Sequence, residues 1–366
     1  MIKKECFTKE WIDHVSTELH YNDKNLIEKV IRALSLLEML VKAGCPLIFK
    51  GGTSLMLIIG KSVHRLSIDI DVICPPGTNI EDYLKEFVDF GFIDLELVER
   101  KQRNDANIPK SHSKFFYKIA YRNDTEAQSY ILLDVLYEDI HYCRTQLVAI
   151  DSPFISLDGD PLMVTVPSAD DILGDKLTAF APNTTGIPYY KNDKSCSMEI
   201  AKQLFDIGRL FENVTDLQIT STAFHRIAQV ELSYRSLGTD VGQVFNDIRQ
   251  TALCISTRGK AGEGDFGLIQ DGIIRVKSFM YKQRYTIENA IVDSARAAYL
   301  ATLIEKGISQ IEPYSNNPAD VKDMVIRPSL SNKLNKLKAN SPEGFLKVAG
   351  RGMNGSSYYD YDVSGK

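Results

Sequence analysis

The sequence lacks an apolar run of about 18 residues, the length that a membrane-spanning helix requires. Its first residues carry lysines without an apolar core behind them, so no signal peptide is expected. The six cysteines include no C-x-x-C pair, which favours reduced thiols in a cytoplasm over a disulfide frame or a zinc knuckle. The six histidines include no H-E-x-x-H motif, so no structural zinc is expected.

A strong charge bias is also missing. The formal net charge is −5 over 366 residues, with 44% hydrophobic and 25% charged residues. These values are ordinary for a soluble globular protein and indicate no overall preference for nucleic acid. The length is sufficient for a full hydrophobic core and predicts two domains.

One segment, residues 47–74, carries most of the chemical information. An apolar run leads into a Gly-Gly-Thr-Ser turn, a helical pattern follows, and a second apolar run contains Asp69 and Asp71. Gly51 and Gly52 let a backbone approach phosphates closely, and the helix that follows offers free N–H groups to an anion. The pattern therefore predicts a strand, a phosphate-binding turn, a helix and a second strand.

The aspartates predict a metal site. Side chains two residues apart on a strand point the same way, so Asp69 and Asp71 share a face. Apolar Ile68, Ile70 and Val72 flank them. Such a pair can be an ordinary solvated strand edge. Like charges on one face repel each other, however, and a divalent cation relieves that repulsion. Together with the glycine turn, the pair favours metal binding.

Two motifs carry a family resemblance. Residues 50–55 read KGGTSL and residues 65–71 read RLSIDID. They resemble the signature of the nucleotidyltransferases of the AbiEii toxin family, which are relatives of the MenT toxins on a DNA-polymerase-β-like fold. The resemblance covers roughly residues 25–210, and the C-terminal third carries no motif that matches.

The resemblance implies an α/β (α+β) fold with a small mixed sheet. Residues 1–165 would form the nucleotidyltransferase core with its N-terminal helix, and residues 166–366 a mainly helical domain that contributes Lys176 to the site. The implied reaction moves an NMP group from an NTP to an acceptor hydroxyl, here of tRNA. The cofactor would be Mg²⁺, with Mn²⁺ as its substitute. The implied role is a cytoplasmic toxin with a separately encoded antitoxin and no membrane partner.

A third metal ligand is expected from the strand of residues 130–137, YILLDVLY. A lone buried carboxylate without a partner is costly, although Asp134 could also reach the edge of a sheet. Because polymerase-β-like sites use a third carboxylate on a neighbouring strand, the resemblance assigns metal binding to three residues, Asp69, Asp71 and Asp134.

The resemblance also implies the nucleotide-binding residues around the turn. Residues 51–54 would cradle the phosphates, while Arg65 and Ser67 flank the metal strand. Arg65 could reach a phosphate or form a structural ion pair. The full predicted nucleotide-binding set is Lys50, Gly51, Gly52, Thr53, Ser54, Arg65 and Ser67.

Two further catalytic candidates lie on predicted helices. Lys176 resembles a family lysine that would add a point charge to the triphosphate, although its apolar surroundings also fit a snorkelling lysine. The family next has a basic residue followed by D-x-x-D-L. Here Lys202 is followed by Gln203, and Asp206 takes the second acidic position. Asp206 would orient basic neighbours such as Lys176, or it lies on a solvated helix face.

The acceptor is the most open point. Residues 322–351 hold seven Lys or Arg and two acids, which suits either an RNA backbone or a solvated helix face. A small-molecule or protein hydroxyl is an alternative acceptor. A catalytically silent partner-binding domain is a further alternative, and the intact motifs argue against it.

Overall fold

The computed structural model describes residues 1–60, 65–98, 109–122, 127–235, 238, 240–312, 314–327, 334–349 and 362–364. The chain divides into two compact units. The first comprises Met1–Ser168 and Ser278–Arg284, and the second comprises Ala169–Lys277 and Tyr285–Lys366. The segment Ser278–Arg284 is therefore part of the first unit, although it follows a long stretch of the second in the sequence.

The first unit contains three helices and seven strands in its described residues. The helices are α1 (Lys9–Glu18), α2 (Lys24–Lys42) and α3 (Gly51–Ile59). The strands are β1 (Ile48–Lys50), β2 (Ile70–Cys74), β3 (Asp94–Val98), β4 (Lys110–Lys118), β5 (Gln128–Tyr137), β6 (Thr145–Ala149) and β7 (Met163–Pro167).

Helix α2 forms where the apolar periodicity predicts it. The Asp23 side chain caps its first turn by accepting a hydrogen bond from Leu26 N at 3.0 Å. Buried Ile27, Ile31 and Leu34 then recur at helical spacing. The helix ends before Gly44, whose φ of +74° is a left-handed conformation that favours glycine.

Five strands form the predicted mixed sheet in the order β1-β2-β5-β4-β3. Strands β2 and β5 are parallel neighbours, and the other neighbouring pairs are antiparallel. Strands β6 and β7 form a separate antiparallel pair. The prediction of a small mixed sheet is confirmed.

The two faces of this sheet differ in chemistry. One face is apolar and buried, and it carries Phe49, Val72, Leu133 and Phe115 on successive strands. These side chains join a core that includes the buried residues of α2. Because side chains alternate along a strand, Lys50, Asp71 and Asp134 occupy the opposite face.

The sequence prediction is wrong in two places. The polar, aperiodic sequence of residues 100–113 predicts a loop, but β4 begins at Lys110. Residues 99–108 lie outside the described residues. The polar stretch from Lys110 to Ser113 extends because β5 supplies its backbone partners. Residues 80–90 were expected to form one helix, yet they form two short 3-10 turns, Ile80–Tyr83 and Phe87–Phe90.

The second unit is mainly helical, as predicted. Its helices are α4 (Ala169–Ala179), α5 (Ser197–Phe211), α6 (Leu217–Arg235), α7 (Val241–Ser256), α8 (Phe266–Val276), α9 (Ile287–Glu305), α10 (Leu337–Asn340) and α11 (Pro342–Ala349). Its strands are β8 (Tyr190–Lys191) paired with β9 (Lys194–Ser195), and β10 (Val325–Arg327) paired with β11 (Asp362–Ser364).

Helix α9 is the central element of the second unit. It packs against α5, α7 and α11, and buried Ala290, Ala297 and Ala301 allow these helices to approach closely. Thr286 and Asn289 form a capping box at its start. None of the described helices in either unit is both long and apolar enough to span a membrane. All six cysteines lie in the described part of the chain, and none of them forms a disulfide bond.

Candidate active site

A row of four polar residues crosses the first unit's sheet. Lys50 on β1 is paired with Asp71 on β2, Asp71 with Asp134 on β5, and Asp134 with His112 on β4. Directly paired residues lie on one face, and neighbouring strands are about 4.8 Å apart. The sheet therefore brings two carboxylates side by side, with a cation and an imidazole next to them.

Gly51 approaches the first of these carboxylates closely. A Cβ added at Gly51 would lie 2.2 Å from Asp71 Oδ2, and the glycine has a φ of +82°. Any other residue would therefore clash with the carboxylate and strain the backbone. The glycine thus keeps the start of α3 against Asp71.

Gly52 has a similar relationship to Arg65 and Ser67. A Cβ at Gly52 would lie 2.7 Å from Arg65 Nη2 and 2.8 Å from Ser67 Oγ. Arg65 is buried, its Nη1 donates to Leu66 O at 3.0 Å, and its backbone forms a bridge with Met280. The segment Ser278–Arg284 therefore keeps Arg65 in place behind the glycine turn.

Hydroxyl groups tie the glycine turn to the residues at the start of β2. Thr53 Oγ1 donates to the Asp69 carbonyl oxygen at 2.6 Å, and Ser54 Oγ donates to Gly51 O at 3.0 Å. Asp69 itself lies one residue before β2 and is half-buried. These bonds occupy the two hydroxyls structurally, so the backbone N–H groups of the turn are the groups suited to phosphates.

The N-terminus of α3 suits an anion. Lys50 is its N-cap residue and forms no side-chain capping bond. The first N–H groups of a helix have no partner within the helix, and the helix dipole adds positive potential there. A basic residue at the cap strengthens this potential, so residues 50–54 can bind a phosphate.

His112 is a site residue that the sequence analysis missed. It is buried, and its Nδ1 is hydrogen-bonded to Asp134 Oδ1. An ionised carboxylate only accepts, so Nδ1 is the donor. The Nε2 atom is buried and has no hydrogen-bond partner among the described residues. The weak alternation of residues 114–122 was the available signal, but it stops short of His112.

The donor set of the row suits a hard divalent cation. Among the described residues, no group of three or more His, Cys, Asp or Glu could hold a metal ion as a complete protein cage. Mg²⁺, however, is usually held by one or two carboxylates together with substrate phosphates and water. Asp71 and Asp134 offer such a pair, and the glycine turn adjoins Asp71.

The second unit brings together the other two predicted catalytic residues. Lys176 on α4 and Asp206 on α5 form an ion pair, with Nζ 3.0 Å from Asp206 Oδ2. Lys176 Nζ also donates to Gln203 Oε1 at 2.8 Å. Both charged side chains are buried. Gln203, which replaces the family's first acidic residue, therefore contacts the same amine as Asp206.

Residues 322–351, here called the basic segment, do not form a uniform solvated face in their described part. Lys347 is 2% exposed, donates to Glu312 O, and has its pKa lowered by burial to about 8. Lys338 Nζ donates to the carbonyl oxygens of Lys322 and Met324. Lys336 is exposed. The segment thus contains both structural and solvent-facing lysines.

Comparison with known proteins identifies a family. Residues 34–315 match the family model described as nucleotidyl transferase AbiEii toxin, type IV TA system. No curated protein sequence matches the chain.

The chain is similar to solved structures, and the MenT4 match shows a shared fold. One is MenT4, a nucleotidyltransferase toxin from Mycobacterium tuberculosis H37Rv, with a TM-score of 0.51 and 12% identity over 80% of this chain and 89% of its own. Another is JHP933 from Helicobacter pylori, with a TM-score of 0.38 and 14% identity over 78% of this chain and 92% of its own.

Proposed function

The chain belongs to the AbiEii nucleotidyltransferase toxin family, and on that premise we propose that it transfers an NMP group from an NTP to a hydroxyl of tRNA, releasing pyrophosphate. One observation carries the proposal: Asp71 and Asp134 are paired across two parallel strands, and the glycine turn packs against Asp71. A carboxylate pair beside a phosphate-binding helix terminus is the arrangement that transfer from a triphosphate requires.

The triphosphate is bound by the start of α3. The backbone N–H groups of residues 51–54 point to its oxygens, and Lys50 adds a positive charge at the cap. Gly51 and Gly52 keep side chains out of this space. Arg65 and Ser67 support the turn from behind, so their proposed role is to position Gly52.

Asp71 and Asp134 would hold Mg²⁺, with Mn²⁺ as a substitute, and Asp69 would supply a further oxygen. When bound, the cation neutralises the triphosphate and lowers the pKa of the acceptor hydroxyl. His112 holds Asp134 through Nδ1 and so fixes the orientation of its carboxylate.

Lys176 is proposed to bind a phosphate of the substrate. Asp206 and Gln203 hold its amine at 3.0 Å and 2.8 Å. A lysine fixed in this way presents its charge in a single direction, which reduces reorganisation during the reaction. Asp206 accordingly acts as a positioning residue.

The biological role follows from the family. We propose a cytoplasmic toxin with a separately encoded antitoxin, since cytoplasm supplies both NTPs and tRNA.

The test uses purified full-length protein, Mg²⁺, total tRNA and each NTP labelled at its α-phosphate. Transfer of label to tRNA is expected with at least one NTP. Asp71→Asn should lower the rate about a thousandfold or more, because a lost metal carboxylate removes several kcal/mol of transition-state stabilisation. Asp89→Asn is the matched control, since Asp89 is an exposed aspartate of the same unit.

The outcomes are distinct. Label on tRNA with the wild type and Asp89→Asn, but not with Asp71→Asn, would support the proposal. Label on protein instead of tRNA would identify a protein hydroxyl as the acceptor. Equal transfer by wild type and Asp71→Asn would contradict the assignment of the site.

A further inference from the structure

A cavity with charged residues in its lining lies within the second unit. Its volume is about 250 Å³, and cations outnumber carboxylates in its lining by three to one. The cations are Arg258, Lys260 and Lys336, and the carboxylate is Glu288. None of these residues belongs to the motifs that define the proposed catalytic site.

The turn after α7 presents two of the cations. Arg258 and Gly259 both have left-handed backbones, with φ values of +54° and +75°. This conformation is uncommon for arginine and persists only where surrounding contacts hold it. Thr257 provides such contacts, because its Oγ1 accepts from Ala261 N at 3.0 Å and contacts Leu253 O at 2.8 Å. The turn is therefore a fixed support for Arg258 and Lys260.

The third cation comes from the basic segment. Lys336 is exposed and immediately precedes α10, and it faces the same cavity as the turn after α7. It differs in this respect from Lys347, which is buried and structural. The cavity is thus lined by positive charges from two segments that are distant in the sequence.

The floor of the cavity contains an unsatisfied polar atom. Ser341 is 7% exposed and lines the cavity, and its Oγ has no hydrogen-bond partner among the described residues. A buried hydroxyl without a partner is costly unless a ligand or water satisfies it. Buried Ile291 and Leu337 also line the cavity, which gives it an apolar surface that suits a sugar.

The carboxylate at the rim is already neutralised. Glu288 Oε1 accepts a hydrogen bond from Arg258 Nη2 at 3.1 Å. Its pKa is lowered, chiefly by a hydrogen bond from its own backbone N–H and further by Arg258. Glu288 therefore stays ionised and competes with any anion for Arg258.

We infer that this cavity binds a nucleotide phosphate, supplied by the backbone of the acceptor RNA or by a free mononucleotide. Convergent cations, a free hydroxyl and an apolar wall match the phosphate and the sugar of one nucleotide unit. The RNA source rests on the proposed function, whereas the mononucleotide source does not.

The experiment measures binding by the full-length protein with two probes. One is a fluorescein-labelled tRNA transcript, titrated between about 50 and 200 mM salt, and the other is AMP in a calorimeter. The double variant Arg258→Ala/Lys336→Ala should weaken binding of the probe that occupies the cavity, either tRNA or AMP, about tenfold at the lowest salt. For RNA, the log–log salt slope should also fall by about one unit, because the contact with one phosphate is lost.

Three further variants make the test specific. Lys306→Ala is the matched control, since Lys306 follows the far end of α9, about 27 Å along the helix from Glu288. It should bind both probes as the wild type does. Glu288→Gln should tighten binding about two- to threefold by releasing Arg258. Ser341→Ala should weaken binding about threefold without changing the salt slope, because a neutral hydrogen bond is lost.

The probes separate the two sources of phosphate. Weaker RNA binding by the double variant supports a backbone phosphate, and loss of AMP binding alone supports a free nucleotide. The inference is overturned if neither probe responds, or if Lys306→Ala has the same effect as the double variant. Transfer of label to tRNA is measured separately. If the wild type transfers label but the double variant binds both probes as the wild type does, the cavity inference is refuted and the proposed function is not. Cavity-dependent binding without any transfer refutes the proposed function alone.

Discussion

Lys176 Nζ lies 3.0 Å from Asp206 Oδ2, and the two side chains are 8% and 2% exposed. An aspartate on a solvated helix face, one of the two interpretations of Asp206 from the sequence, is therefore wrong. A snorkelling Lys176 is wrong as well, because its amine contacts Asp206 and Gln203 inside the unit. The pair is the strongest structural support for a shared role of α4 and α5.

This pair gives the first prediction. Lys176→Ala should destabilise the protein by about 3–5 kcal/mol, because it removes the positive charge that is paired with the buried Asp206. Lys176→Met/Asp206→Leu should restore most of that stability, since apolar residues of similar volume replace the ion pair. Stability is measured by urea unfolding, and nucleotidyl transfer is measured on the folded fraction.

The double variant separates structure from catalysis. If Lys176 binds a phosphate, Lys176→Met/Asp206→Leu will be stable but inactive, and Lys176→Arg will recover only part of the rate. A stable double variant with wild-type transfer would show that the pair is structural only.

The second prediction concerns Gly51. Gly51→Ala should abolish transfer. The added Cβ would lie 2.2 Å from Asp71 Oδ2, so the Asp71 carboxylate would be displaced. Gly44→Ala is a matched control, since Gly44 has a similar φ of +74° and open space around its missing Cβ. Both changes should cost about 1–2 kcal/mol of backbone strain. Comparable losses of transfer in the two variants would contradict a specific role for the Gly51–Asp71 approach.

The third prediction tests His112 as a positioning residue. His112→Ala removes the hydrogen bond to Asp134, so it should weaken apparent Mg²⁺ affinity about 10–100-fold. His112→Asn, which retains a donor, should recover part of that affinity. The measurement is the rate of transfer against Mg²⁺ concentration. His141→Ala changes a half-buried histidine outside the row and should leave the Mg²⁺ dependence unchanged; an equal effect there would argue against the assignment.

The fourth prediction concerns the pH dependence of stability. Burial raises the pKa of Asp293 from 3.8 to about 7, although Arg296 and Arg209 act in the opposite direction. Between these pH values the folded protein holds a proton that the unfolded chain has released. The free energy of unfolding should therefore decrease as the pH rises from about 4 to about 7.

Asp293→Asn cannot titrate, so its free energy of unfolding should decrease less over the same interval. Other buried carboxyls, such as Asp247, remain in both proteins, and the difference between them isolates Asp293. Urea unfolding at several pH values provides the measurement. Asp271→Asn is the control, because Asp271 pairs with Arg275 on the surface. Identical pH profiles for the wild type and Asp293→Asn would show that Asp293 is ionised throughout.

Local sequence was sufficient for many elements. Helix α2, the glycine turn and strand β5 were predicted because apolar periodicity and turn residues determine them within a few positions. The KGGT and D-I-D motifs further indicated the family and the mixed sheet. The placement of Asp71 on a face opposite Ile70 and Val72 also follows from strand alternation alone.

Only the tertiary structure decided which residues meet. Strand order and register pair Asp71 with Asp134 and add His112, whose polar neighbours gave no strand pattern. The return of Ser278–Arg284 to the first unit and the burial of Lys347 were equally invisible in the sequence. The physical reason is that periodicity records which face of an element is apolar, whereas hydrogen bonding between strands and packing between distant helices determine which elements become neighbours.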